Sequence, residues 1–84
     1  MQAPGLQWNR GRIMPERVAL ARNIKTIRKQ MRESQIEFAA HCGISAEALS
    51  LLERERSDPK LSTMQKLAAY TDQTVSDLLN TETE

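Results

Sequence analysis

A single cysteine, Cys42, rules out any disulfide within the chain. With only one histidine, His41, beside it, a four-ligand zinc site of the cysteine and histidine type has too few donors. Aromatic residues are scarce, one each of Phe, Tyr and Trp, so a core must be built from Leu, Ile, Val, Ala and Met. No apolar stretch approaches the ~20 residues that span a bilayer. No charged start leads into an apolar run and a cleavage site, and the expectation is a cytoplasmic protein. No Ser, Asp or second His stands in a triad context, and no glycine-rich phosphate loop occurs. The expectation is therefore a protein that is not an enzyme, with no cofactor and no metal.

What is present is one domain's worth of chain, 84 residues, enough for one modest core. The net charge of +1 conceals an uneven distribution. Residues 1–32 carry eight basic side chains against one acid, and residues 33–84 carry four against ten. A basic front of this kind suits a polyanion such as nucleic acid, although each such residue is equally compatible with a solvated helix face.

Residues 1–15 hold Pro4, Gly5, Gly11 and Pro15 without sustained periodicity and read as a flexible arm. From residue 16 the pattern is helical: Leu20, Ile24, Ile27 and Met31 recur at spacings of four, three and four, with Arg22, Lys25 and Lys29 opposite. Ser34 with Glu37 forms a capping-box signature opening a helix to about His41, which buries Phe38 and Ala39 and ends at Gly43. Ser45 is the next N-cap, followed by Leu49 and Leu52 on one face. The polar stretch Glu55–Pro59 reads as a loop. Ser62 with Gln65 suggests a further capping box opening a helix with Met64, Leu67 and Ala68 inward. Thr74 with Asp77 suggests a last one carrying Val75, Leu78 and Leu79. Residues 81–84 should fray. The reading is all-α, with five helices in a domain over residues 16–80.

The informative stretch is QIEFAAHCGISAEALSLLER, residues 35–54. Two short helices meet across a tight turn at Gly43, which reverses the chain without a Cβ clash. Ala39 keeps the crossing close. Ile44, Leu49 and Leu52 anchor the second helix on the core, leaving its other face for a partner; such a helix fits the ~12 Å major groove of DNA. Gln35, Ala39, Gly43, Ile44, Leu49 and Leu52, the run Leu52-Glu53-Arg54, then Pro59 and Leu61, and finally Val75, Leu78 and Leu79 match in order and spacing the Cro and phage-repressor (XRE) family of helix-turn-helix domains, which the chain resembles over residues 18–79.

The resemblance implies a lambda-repressor-like fold and a DNA-binding regulator of transcription, a repressor, acting as a homodimer with the third helix in the major groove of double-stranded DNA. It implies an ion pair of Arg28 with Glu53 that orients Arg28 near the DNA backbone. Gln35, Arg54, Arg56, Lys60 and Arg28 would hold phosphates, which positions the domain without reading sequence. Ser45, Ala46, Glu47, Ser50 and Leu51 would face the bases. Val75, Leu78 and Leu79 would serve both the core and a two-fold dimer contact.

The sequence departs from that pattern in several places. Ala46 and Leu51 have no hydrogen-bonding side-chain groups, and Glu47 is suited only to a cytosine amino group, while Ala46 or Leu51 can pack on a thymine methyl. Leu51 beside Ala46 equally suits a protein interface, so a protein-interaction module on the same fold, antitoxin-like or adaptor, is the alternative. Arg32, Glu55 and Asp72 stand where relatives carry glycine, and Glu33 stands where they carry an aliphatic residue. Cys42 reads as a buried structural thiol and His41 as solvent-facing. Trp8, with Arg10 and Arg12 nearby, suits an arm that enters a DNA groove or docks on protein.

Overall fold

The computed structural model describes residues 16–80, so the arm with Trp8, Arg10 and Arg12 and the tail 81–84 lie outside the described residues. Among the described residues five helices follow one another, α1 Glu16–Gln30, α2 Gln35–Cys42, α3 Ala46–Glu53, α4 Leu61–Thr71 and α5 Val75–Leu78, and no strand occurs. Helix α1 buries Ala19, Leu20, Ala21 and Ile24, places Glu16 in its first turn and Arg28 and Lys29 in its last, and so matches its charges to the helix dipole. Met31 falls outside the expected inward stripe. Its helix has ended at Gln30, the chain turns at Arg32, and the side chain is 37% exposed.

Both helix starts at Ser34 and Thr74 are closed by reciprocal caps. Ser34 Oγ accepts from Glu37 N at 3.0 Å while Ser34 N donates to Glu37 Oε1 at 2.9 Å. Thr74 Oγ1 accepts from Asp77 N at 2.9 Å while Thr74 N donates to Asp77 Oδ2 at 3.2 Å. The expected box at Ser62 and Gln65 does not form. Lys60 is already the extended N-cap residue and its carbonyl accepts from Met64 N, so Ser62 is inside the first turn with helical backbone and cannot act as a cap.

Helix ends share a second device. Residues 32, 43, 55 and 72 all have φ between +60° and +87°, and in each case the next N–H donates to the carbonyl five residues back: Glu33 to Arg28, Ile44 to Ala39, Arg56 to Leu51, Gln73 to Ala68. This is the Schellman arrangement that favours glycine. Only Gly43 supplies it; Arg32, Glu55 and Asp72 adopt the left-handed conformation with a Cβ.

The helices close a ring around one core. Helix α3 packs on α1 and α2, α2 on α4, α4 on α5, and α5 back on α1. Phe38, Leu20, Ile24, Leu49, Leu67 and Leu78 are fully buried at its centre, each contributing roughly 1.5–3 kcal/mol. Phe38 meets Tyr70 edge to face, with ring centroids 5.2 Å apart. A four-residue helix such as α5 is too short to persist alone. Its cap closes its own first turn, and the Asn23 amide, which donates to Leu78 O at 2.8 Å and Asn80 O at 3.1 Å, ties it to α1.

Candidate nucleic-acid interface

The turn between α2 and α3 is fixed by backbone bonds. Gly43 N donates to Ala39 O at 2.9 Å and Ile44 N to the same carbonyl at 3.0 Å. Lys66 Nζ reaches the Gly43 carbonyl at 3.4 Å from α4. Ser45 then caps α3, its hydroxyl accepting from Ala48 N at 3.0 Å. At 100° per residue, Leu49, Leu52 and Glu53 turn inward and are buried. Glu47, Ser50, Leu51 and Arg54, at spacings of three, four and seven, therefore share the outer face. Glu47 and Arg54 are exposed, and Ser50 and Leu51 are half-buried. Leu51 takes no part in the core, whereas Ala46, one of the five residues expected to face bases, packs partly against it. Ser45 is exposed with its hydroxyl engaged as the cap.

The inner end of α3 is held by one carboxylate. Glu53 is 3% exposed. Its Oε2 accepts from Arg28 Nε at 2.7 Å, and its Oε1 accepts from Arg28 Nη2 at 3.0 Å and from Gln35 Nε2 at 2.9 Å. Arg28 Nη1 also donates to Glu33 O at 2.8 Å, in the turn between α1 and α2. Burial pushes the Glu53 carboxyl up, but the bonds from Arg28 and Gln35 and the charges of Arg28 and Lys25 outweigh it, and the group is held below its ordinary value. Arg28 is raised correspondingly, chiefly by its bond to Glu53. Three Arg28 nitrogens are thus engaged on protein atoms, and its side chain is only 13% exposed. Gln35 keeps the second proton of its amide, the first being used on Glu53.

Beyond α3 the chain presents Arg54, Arg56 and Lys60, all exposed and, among the described residues, without an ion-pair partner. Arg54 Nε lies 3.4 Å from Ser50 O, so its guanidinium folds over the end of the outer face. Of the three residues expected in a dimer contact, Leu78 is buried in the core, while Val75 and Leu79 pack on it and keep part of their surface open.

A polar cluster escapes sequence reading. Tyr70 Oη donates to Glu33 Oε2 at 2.6 Å, and His41 Nδ1 lies 3.0 Å from Tyr70 Oη and 3.3 Å from Glu33 Oε1. His41 is exposed as expected, yet it belongs to this staple between α2, α4 and the turn before α2. The Tyr70 bond, followed by weaker contributions from His41, holds Glu33 low, and the same bond pushes the tyrosine up to about 12. The only hint in the sequence is that Glu33 replaces an aliphatic residue. Cys42 is buried, and desolvation with the nearby Glu33 charge pushes its thiol up to about 11. Among the described residues no group of three or more His, Cys, Asp or Glu side chains is placed to hold a metal, and no helix is long and apolar enough to cross a membrane.

Two short helices joined by a glycine turn, the second anchored by its inner face and open on its outer one, define a helix-turn-helix, a module built to place a helix in a DNA groove. A family model described as helix-turn-helix, HTH_3, matches residues 24–80, and the chain belongs to that family. The hypothetical transcription factor NHTF from Neisseria is 33% identical, with a TM-score of 0.74 over 79% of this chain and 76% of that one. An HTH_3 family transcriptional regulator from Vibrio cholerae is 27% identical, with a TM-score of 0.68 over 75% of this chain and 35% of that one. The restriction-modification controller protein C.AhdI from Aeromonas hydrophila, 22% identical with a TM-score of 0.68 over 75% of this chain and 91% of that one, shares the fold. Among curated proteins none matches.

Proposed function

We propose that this chain is a sequence-specific regulator of transcription that binds duplex DNA as a two-fold dimer and represses by occupying its site. The observation that carries the reading is the outer face of α3, free of the core and flanked by exposed cations on a helix-turn-helix scaffold. Helix α3 enters the major groove through Glu47, Ser50 and Leu51, with Ser45 and Ala46 at its leading edge. Arg54, Arg56 and Lys60 neutralise phosphates, and Gln35 donates its remaining amide proton to another. Arg28 acts chiefly through Glu53 and Gln35, as its low exposure favours. Val75 and Leu79 supply the contact between copies, with Leu78 as their support, placing two α3 helices about one helical turn of DNA apart.

Three cations per copy, six per dimer, give a steep salt dependence, about a thousand-fold loss of affinity between 50 and 200 mM salt. Fluorescence anisotropy of a labelled duplex titrated at both concentrations tests it. Absence of binding, or an affinity indifferent to salt, would refute the reading. A protein-interaction role has one observation in its favour, the half-buried Leu51 outside the core. Leu51→Lys separates the two, since it abolishes docking of a protein on that face while sparing or strengthening non-specific DNA binding.

A further inference from the structure

We infer that the outer face of α3 selects a cytosine amino group and a thymine methyl lying within about two base pairs of each other, with Glu47 and Leu51 as the discriminating pair. The inference rests on the DNA-binding reading above.

Three observations carry it. First, the outward residues are Glu47, Ser50 and Leu51, and none of them has the paired donors that grip guanine or the amide that pairs with adenine. Arg54, the one strong donor on that face, lies beyond the helix with its Nε turned back toward Ser50 O, which suits a phosphate more than a base edge. Second, Glu47 is exposed and, among the described residues, has no ion-pair partner, so its carboxylate is an acceptor available to the groove. Guanine offers acceptors there, and adenine sets its N7 acceptor beside its amino group. Cytosine alone offers a donor with no acceptor on the same base edge. Third, Leu51 is half-buried without joining the core, so its apolar surface remains for an apolar contact, and in the major groove that contact is the thymine C5-methyl. Residues 47 and 51 are one helical turn apart, about 6 Å along the axis, against ~3.4 Å between stacked base pairs. The two features therefore fall within about two base pairs.

The carboxylate has a second effect. Any duplex lacking a suitably placed amino donor brings Glu47 near phosphates with nothing to offset the repulsion, so Glu47 lowers binding to non-cognate DNA as it discriminates among bases.

The test uses the full chain. Duplexes are selected from a random pool, and the enriched sequence is titrated with thymines replaced one at a time by deoxyuridine, which removes only the methyl. The same titrations are run with Glu47→Ala and Leu51→Ala, each checked by circular dichroism for native helix content. The enriched sequence should hold a cytosine and a thymine in the stated spacing. One uracil should weaken binding about four-fold, the loss of one buried methyl group, and Leu51→Ala should be insensitive to that replacement. Glu47→Ala should lose its preference for the cytosine while binding random duplex several-fold more tightly. Uracil neutral at every thymine, Leu51→Ala as sensitive to it as the parent, or Glu47→Ala with an unchanged cytosine preference would each overturn the assignment while leaving DNA binding intact. A parent chain that binds no duplex at any salt would overturn this assignment and the DNA-binding reading together.

Discussion

Replacing Arg32 and Glu55 by glycine should make this domain more stable, although neither change adds a contact. Both residues sit in the left-handed region, at φ 60° and 63°, where an L side chain costs roughly 1–2 kcal/mol. Glycine removes that cost but loses about 0.5–1 kcal/mol more backbone entropy on folding. The difference is a gain of roughly 0.5–1 kcal/mol per site. Neither side chain makes a hydrogen bond or ion pair among the described residues and both are exposed, so nothing else is lost. The double variant should gain about 1–2 kcal/mol, which for a domain of this size raises the melting temperature by roughly 5–15 °C. Asp72, at φ 60° with a short polar side chain that tolerates this conformation, should gain less. Gly43→Ala is the mirror experiment. A Cβ there meets nothing within 4 Å, so only its φ of +87° is penalised, and a loss of about 1 kcal/mol is expected. Thermal unfolding followed by circular dichroism, with urea titration to confirm an unchanged slope, reads all of these. A double variant that melts at or below the parent temperature would refute the reasoning.

Glu53→Ala leaves Arg28 buried without its partner and should destabilise the domain by about 3–5 kcal/mol, measured by urea denaturation. The Glu53 carboxyl is held low in the folded state, so its stabilisation is fully present above the ordinary carboxylate value of 4.5 and is lost as pH falls through the folded value; Glu53→Gln should flatten the acid limb of a stability–pH profile. Ser34→Ala removes one half of a capping box and should cost about 1 kcal/mol by the same denaturation assay. The thiol of Cys42, buried and raised to about 11, should resist alkylation at pH 8 in the folded protein and react fully in urea; rapid labelling without denaturant would contradict its burial.

Local signals made most of the fold legible. The caps at Ser34 and Thr74 and the turn at Gly43 each depend on residues within three or four positions, and the apolar periods between them mark the inward faces. The same local logic failed at Ser62, because serine and glutamine three apart satisfy the pattern whether or not the helix has already begun, and here it begins at Leu61. Met31 continued the apolar period past a helix end that a non-glycine residue conceals. Of the candidate interface, the helix itself was readable from spacing, while the cations beyond it were singled out by the family resemblance. The inward lean of Ala46 and the engagement of Gln35 with Glu53 were not, since both depend on how α3 is rolled against its neighbours. The staple of Glu33, His41 and Tyr70 joins positions 8 to 37 apart in sequence, and no periodicity reports such a meeting.

The carboxylate of Glu53 touches the last turn of α1 through Arg28 and the first residue of α2 through Gln35, while it belongs to the last residue of α3. Three rods are thus pinned at a single rivet. The roll of α3, which in the proposed DNA complex decides whether Glu47 and Leu51 point squarely into a groove or past it, is not adjustable independently of the other two. Changes in what the surface recognises are then expected to come by exchanging side chains on α3, with the angle of the helix left as it is.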